Sequence, residues 1–133
     1  MLRAFPFTIF PLLAYNALVF LIPDGLPDWS AEQLSIGLFS AERLTLTAGD
    51  VMILAGLLFL LFEMMRAASV SRGAVASHLA SAIVLLAYIG ELLVIPEAAT
   101  AAFAVLTAIA LVDLLAGIYI SARVAAHDGI GEL

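Results

Sequence analysis

Four long apolar runs alternate with polar connections along the chain, at about residues 5–22, 49–66, 75–95 and 97–123. A helix rises 1.5 Å per residue, so about 20 apolar residues cross the roughly 30 Å of hydrocarbon in a bilayer. The first and second runs are the shortest, and the fourth is long enough to protrude. The pattern predicts one domain, an all-α integral membrane four-helix bundle.

The composition agrees with a bilayer as the solvent of this chain. Of its 133 residues, 65% are hydrophobic and 12% are charged, and the mean hydropathy is +1.18. The net charge is −6, but most acidic residues lie in one loop or singly within the apolar runs, so nothing favours nucleic-acid binding. The absence of cysteine excludes disulfides and thiol chemistry.

The arginines predict the orientation in the membrane, because cationic loops resist translocation more than acidic ones. Arg3, Arg66, Arg72 and Arg123 fall on one side of the predicted bundle, and Arg43 lies on the other side with most of the acids. We therefore expect a multi-pass protein of the bacterial inner membrane with both termini cytoplasmic and residues 23–48 outside.

Residues 23–48 form the largest predicted extramembrane segment. It opens with turn-forming residues at 23–25 and 27–28, followed by Trp29, which suits the headgroup boundary. Ser30 with Gln33 is compatible with a short capped helix. The alternation at residues 36–38 and 44–47 instead favours a small hairpin on the outer surface, which is the interpretation we prefer.

Helix start signals agree with the run limits. Thr47 and Asp50 have the spacing of a capping box, Ser71 precedes the third run, and Pro96 with Glu97 suits a first helical turn. Beyond the fourth run, the tail from residue 127 is expected to be frayed.

An inner polar layer is predicted from the depths of three titratable residues. Short connections make the last three runs consecutive antiparallel helices, so residues equidistant from a turn share a depth. With turns centred at residues 70–71 and 95–96, Glu63, His78 and Asp113 are level. Arg66 lies one helical turn from Glu63 and is a further partner.

The same reasoning predicts an outer layer of Asp50, Glu91 and Thr100, with Arg43 as a candidate counter-ion. In each helix the two layers are thirteen residues apart, which is a rotation of about 220°. Straight helices would therefore point the two layers in nearly opposite directions, and this argues against a pore.

Other polar residues suggest helix packing. Tyr15 and Asn16, in the middle of the first run, are predicted to extend the network of the inner layer. Small residues surround Asp113 on the fourth run, which indicates a buried carboxylate where another helix approaches closely. A polar stripe on the third run is also typical of packing, and comprises Ser77, Ser81, Tyr88 and Glu91.

Three interpretations of the inner layer remain open. The preferred one is a buried hydrogen-bonded ion pair that sets helix register. Two carboxylates beside an imidazole also suit a proton relay, and one nitrogen with two oxygen donors suits a divalent metal. No catalytic, metal or cofactor motif is present, and His78 has no second intramembrane histidine for bis-histidine haem ligation.

Several short segments resemble a family of small, uncharacterised bacterial four-span membrane proteins. They are residues 44–50, Tyr15-Asn16, Glu63, Ser77-His78 with Ser81, Val112-Asp113 with Gly117, and the tail at 123–128. The resemblance implies a bacterial inner-membrane location and brings no activity with it. The tail has fewer arginines than the family pattern, which weakens any role for it in binding anionic lipid.

Together these observations predict a non-enzymatic structural or accessory subunit of a membrane complex, without cofactor, surrounded by lipid and associated with itself or with a partner membrane protein. The alternative is a proton- or ion-coupled small transporter that acts as an oligomer and uses Glu63, His78 and Asp113. If the layer is structural, Asp113→Asn should keep most function and the fold, whereas if the layer couples protons, Asp113→Asn should abolish activity in a protein that still folds.

Overall fold

The computed structural model describes residues 5–22, 27–69 and 74–130. It is mostly helical, as predicted, with a small antiparallel sheet. The elements are α1 (Ile9–Leu21), β1 (Glu32–Gly37), β2 (Arg43–Thr47), α2 (Ala48–Ser69), α3 (Ala74–Val94), a 3-10 turn (Pro96–Ala98) and α4 (Ala101–Ile130).

Three of the helices are long and apolar enough to cross a membrane. The qualifying stretches are Ala48–Ala67, Ala76–Val94 and Ala101–His127, with mean hydropathies of 1.9, 1.8 and 2.3. One third or less of each stretch is buried inside the protein, so most of its side chains face outward, as expected for helices surrounded by lipid. At 30 residues, α4 is about 45 Å long and exceeds the hydrocarbon thickness.

The first apolar run differs from its prediction as a full span. Its helix α1 has 13 residues and is about 20 Å long, which is too short to cross the hydrocarbon by itself. Pro6 and Phe7 instead form turns ahead of the helix, since their carbonyls accept the amides of Ile9 and Phe10 at 3.2 and 3.0 Å. By length and composition, the described helices therefore support three spans and not four.

Helix α4 is the centre of the bundle, packed along both α2 and α3. Small residues permit the close approach. A Cβ atom added to Gly56 of α2 would lie 2.6 Å from Cδ2 of Leu106, and one added to Gly117 of α4 would lie 3.2 Å from the ring of His78.

An aromatic column crosses the core between the helices. The Trp29 ring is stacked on Tyr15 with centroids 4.5 Å apart, Tyr15 lies 4.6 Å from Phe103, and Phe103 lies 5.4 Å from Tyr88. Tyr15, Phe103 and Tyr88 are almost fully buried. The column thus packs side chains of α1, α3 and α4 against Trp29, three residues before β1.

The predicted hairpin is confirmed, and the competing short helix is absent from residues 27–47. Strands β1 and β2 pair antiparallel, with Leu34 opposite Leu46 and Ile36 opposite Leu44. The turn between them places Ala41 at φ 65° in the left-handed region.

The predicted capping box at the start of α2 is also confirmed. The Thr47 amide donates to Oδ2 of Asp50 at 2.9 Å, and the Asp50 amide donates to Oγ1 of Thr47 at 3.2 Å. This reciprocal pair satisfies two amides that the helix cannot. The predicted signals at Ser71 and at residues 23–25 lie outside the described residues.

The fourth helix differs from its approximate predicted bounds at both ends. Pro96 and Glu97 form a separate 3-10 turn, and Ala99 interrupts it with φ −75° and ψ 56°. Helix α4 begins at Ala101, where Oγ1 of Thr100 accepts the Phe103 amide at 3.1 Å. The helix then continues to Ile130 where fraying was expected.

Candidate functional site

An inner polar cluster, which we define as Glu63, Arg66, Ser81, Tyr88 and Asp113, surrounds the turn at residues 5–8. Glu63 and Arg66, its predicted further partner, lie one turn apart near the end of α2 and form an ion pair. Oε2 of Glu63 accepts the Phe7 amide at 2.9 Å. Arg66 donates to the Phe5 carbonyl at 2.7 Å and lies over the Phe7 ring, 4.8 Å from its centroid.

Asp113 holds the same segment from the opposite side. It is 3% exposed, which confirms its predicted burial. Its Oδ2 atom accepts the Thr8 hydroxyl at 3.0 Å and the Ser81 hydroxyl at 3.3 Å. The Tyr88 hydroxyl donates to the Thr8 carbonyl at 3.0 Å. Side chains from α2, α3 and α4 therefore all converge on residues 5–8.

The electrostatics of α1 suit this arrangement. Glu63 and Asp113 contact Phe7 and Thr8, immediately before the first residue of the helix, Ile9. The amides at a helix N-terminus carry a partial positive charge, and a carboxylate near them is stabilised. Together with Arg66, this field offsets part of the cost of burying two acids.

His78 has different partners from those expected. Its Nε2 atom is hydrogen bonded to Oγ of Ser121 at 2.9 Å, and its ring lies against Gly117. The connection between α3 and α4 runs from Val94 to Ala101 and is centred near residues 97–98 rather than 95–96. This shift places Ser81, not His78, level with Asp113.

A small cavity nevertheless brings the three predicted titratable residues to one place. Its volume is about 10 Å³, close to the minimum for one water molecule. The lining includes Glu63, His78 and Asp113, with Ser77 and Ser81 of α3. A site of this size can hold a water between an imidazole and a carboxylate. Among the described residues, no group of three or more His, Asp or Glu side chains is arranged to hold a metal ion.

An outer polar cluster, which we define as Tyr15, Asn16, Glu91 and Thr100, lies where the middle of α1 meets the end of α3 and the residue before α4. Nδ2 of Asn16 donates to Oε2 of Glu91 at 2.8 Å. The Tyr15 hydroxyl lies 2.8 Å from Oγ1 of Thr100 and 3.0 Å from the Glu97 carbonyl oxygen, to which it donates. These bonds attach α1 to the last turn of α3 and to the connection between α3 and α4.

Tyr15 and Asn16 were predicted to extend the inner network, and the structure places them in the outer cluster instead. The reason is the position at which α1 begins. Thr8 is already level with Asp113, so Asn16 lies about 12 Å further along the helix.

The remaining members of the predicted outer layer lie apart from this cluster. Asp50 is engaged in the capping box with Thr47. Arg43, the candidate counter-ion, is exposed and donates to Oγ of Ser35 at 3.0 Å within the hairpin.

The two clusters are separated by apolar packing. Between Thr100 and Asp113 on α4, the buried side chains are all apolar, namely Ala102, Phe103, Leu106, Ile109 and Ala110. Two members of the polar stripe on α3, Tyr88 and Glu91, hydrogen bond to α1 or to the turn before it. The described residues thus contain two packing clusters joined by an apolar core.

Two contacts of the inner cluster and one partner of His78 were missed from the sequence. Thr8 and the Phe7 amide were not considered because residues 5–8 were assigned to a helix. Ser121 was missed because the depth estimate paired His78 with Asp113. No sequence signal singles out Ser121 among the small residues of α4.

Comparison with protein-family models, with curated proteins and with solved structures finds no match to this chain.

Proposed function

We propose that this chain is a non-enzymatic structural or accessory subunit of a membrane complex, whose buried polar residues hold its own helices together. One observation carries the proposal. Within the described residues, no buried side-chain nitrogen or oxygen atom lacks a hydrogen-bond partner. Polar side chains that serve a substrate leave donors or acceptors directed into a cavity, whereas these are used within the fold.

The outer surface provides the area for association. Large apolar side chains project from both flanking helices, including Leu54 and Leu61 of α2 and Ile83 and Leu86 of α3. In a bilayer such surfaces face lipid, or they pack against another membrane protein. Four packed helices enclose too little volume for a substrate cavity, so we expect the outer surface of the bundle to associate with a partner protein.

We propose the following topology for the subunit. Residues 5–22 cross with α2–α4 as a fourth, shorter segment, because the Phe5 carbonyl contacts Arg66 near the end of α2 and Asn16 contacts Glu91 near the end of α3. Consecutive helices α2 and α3 run in opposite directions, so these two ends lie on opposite sides of the bundle. With four crossings, Arg3, Arg66, Arg72 and Arg123 share one side, which is the cytoplasmic side by the positive-inside rule. The resemblance noted above favours a bacterial inner membrane.

Single cysteines test this topology, since the chain has none. With four crossings, an impermeant thiol reagent added to intact cells labels Thr45→Cys and spares Arg123→Cys. If α1 does not cross, a cysteine placed at residue 3 is labelled together with Thr45→Cys.

The second candidate function is a proton- or ion-coupled transporter. The observation that favours it is the cavity shared by Glu63, His78 and Asp113. An imidazole and carboxylates around one water are suited to proton exchange. The apolar packing between the two polar clusters weighs against a continuous path in this conformation.

Affinity purification from native membranes in mild detergent, followed by intact-complex mass measurement, tests the main proposal. A stoichiometric foreign membrane protein is the expected result. A homo-oligomer without a foreign chain contradicts it and favours transport. Proton flux in vesicles then decides between them: loss of flux in a folded Asp113→Asn variant supports transport, and an absence of flux in the unmodified protein excludes it.

A further inference from the structure

The hairpin has one apolar and one polar face. In an antiparallel pair, directly opposed residues project from the same face of the sheet. The pairs Leu34–Leu46 and Ile36–Leu44 therefore share one face, and the pairs Ser35–Thr45 and Gly37–Arg43 share the other. This division follows from the register and does not depend on the position of the hairpin relative to the helices.

The apolar face is not covered by the described residues. Leu34, Ile36, Leu38 and Leu44 are each 44–48% exposed, and Phe39 at the tip is completely exposed. A two-stranded hairpin is marginally stable in water, and stable hairpins bury one face against another surface. An exposed apolar face of this kind indicates a binding surface.

The hairpin is attached directly to a membrane-spanning helix. Strand β2 ends at Thr47 and α2 begins at the next residue, which is also the first residue of the apolar stretch that qualifies as a span. The Ala48 and Gly49 amides donate to the carbonyls of Ala31 and Trp29 at 2.9 Å, so the base of the hairpin is fixed to the helix end.

This attachment keeps the hairpin close to the membrane surface. At about 3.3 Å per residue, its strands extend for roughly 15–20 Å. An upright hairpin would hold its leucines in water, whereas a hairpin lying on the membrane places them in the boundary between headgroups and hydrocarbon. Trp29 at the base, stacked on Tyr15, is the type of residue enriched at that boundary.

We propose that the apolar face of the hairpin, with Phe39 at its tip, inserts into the boundary region of the lipid leaflet at which α2 begins. Arg43, with its hydrogen bond to Ser35, then faces water together with Thr45. The inserted residues carry no charge, and the hairpin contains the acids Glu32 and Glu42. Binding is therefore apolar and independent of anionic lipid, so the hairpin inserts into zwitterionic bilayers.

Site-directed spin labelling of the full chain in vesicles of zwitterionic lipid tests this proposal. The chain has no native cysteine, so single labels are placed at Phe39→Cys and Ile36→Cys on the apolar side. Thr45→Cys on the polar face is the matched control, because it is also exposed and lies in the same sheet. A label at Leu58→Cys, an exposed position within α2, calibrates the bilayer interior.

We expect the labels at positions 36 and 39 to collide frequently with oxygen, which concentrates in the bilayer, and rarely with a water-soluble nickel chelate. The label at position 45 shows the opposite preference. All three positions are exposed, so the labels leave the fold intact, and near-identical circular dichroism spectra verify this.

Two results would overturn the proposal. If the label at position 39 is as accessible to the nickel chelate as that at position 45, the apolar face lies in water. If the labels at positions 36 and 39 are shielded from both reagents, the face packs against protein. Spin–spin broadening that disappears on dilution with unlabelled chain then identifies that protein as a second copy.

Discussion

Replacement of Asp113 provides the sharpest test of the packing interpretation. The carboxylate accepts the hydroxyls of Thr8 and Ser81, both of which are buried. Asp113→Leu removes the acceptor for both. A buried donor without a partner costs about 1–3 kcal/mol. Ser81 can recover part of this by donating to a carbonyl of its own helix, whereas Thr8 precedes α1 and has no such carbonyl.

We therefore expect Asp113→Leu to lower the free energy of unfolding by about 2–4 kcal/mol. Asp113→Asn is the matched control, because the amide keeps an oxygen atom where the two hydroxyls donate. Its effect should stay within about 1 kcal/mol. The measurement is equilibrium unfolding by a denaturing detergent, followed by circular dichroism in mixed micelles of fixed composition.

A third variant isolates the hydrogen bond from other effects of the leucine. In the Asp113→Leu background, Thr8→Val removes the stranded donor at nearly constant shape and should restore part of the lost stability. The reasoning is refuted if Asp113→Asn is as destabilising as Asp113→Leu, or if Thr8→Val lowers stability further in the double variant.

Three further predictions concern other parts of the molecule. Arg66→Met should speed hydrogen exchange of the backbone amides of Phe5, Phe7 and Thr8 by roughly 10- to 100-fold, since charge-assisted hydrogen bonds are lost; unchanged exchange in mass spectrometry would contradict this. Gly56→Ala should destabilise by about 1–3 kcal/mol because its Cβ would meet a core side chain at 2.6 Å, whereas Gly90→Ala, with nothing within 4 Å, should be neutral or stabilising in the same unfolding assay. Side-chain and backbone hydrogen bonds from Ser30 lower the pKa of the Asp28 carboxyl. The stabilising effect of this carboxylate is therefore present above its ordinary pKa of 3.8 and is lost as the pH falls through the lowered pKa. A carboxyl NMR titration of Asp28 with a midpoint at or above 3.8 would refute this.

Local sequence signals predicted many elements of this fold. The apolar runs located all four helices, and the capping box at Thr47 and Asp50 located the start of α2 to within a residue. The alternating residues of the loop indicated a hairpin. These predictions succeeded because hydrophobic periodicity and capping act over a few neighbouring residues and do not require a known tertiary structure.

Predictions of which residues share a depth and contact each other were less accurate. Each one depended on the positions of several helix ends, and the errors in those positions accumulated. The start of α1 at Ile9 moved Asn16 into the outer cluster, and the longer connection before α4 replaced His78 with Ser81 as the partner of Asp113. Each turn of helix changes both depth and direction, so an error of a few residues at a boundary changes the partner of every later polar side chain.

The sequence by itself determined the location of the helices, three of which are long and apolar enough to cross a membrane. It also determined the chemical types of the buried polar residues. The tertiary structure alone decided which of these residues meet. It brought Glu63, Arg66 and Asp113 into contact with residues 5–8, which are more than 50 residues away in the sequence. It also paired His78 with Ser121. Such contacts depend on the rotation of packed helices about their axes, which is set by side-chain interdigitation along their whole length rather than by local sequence.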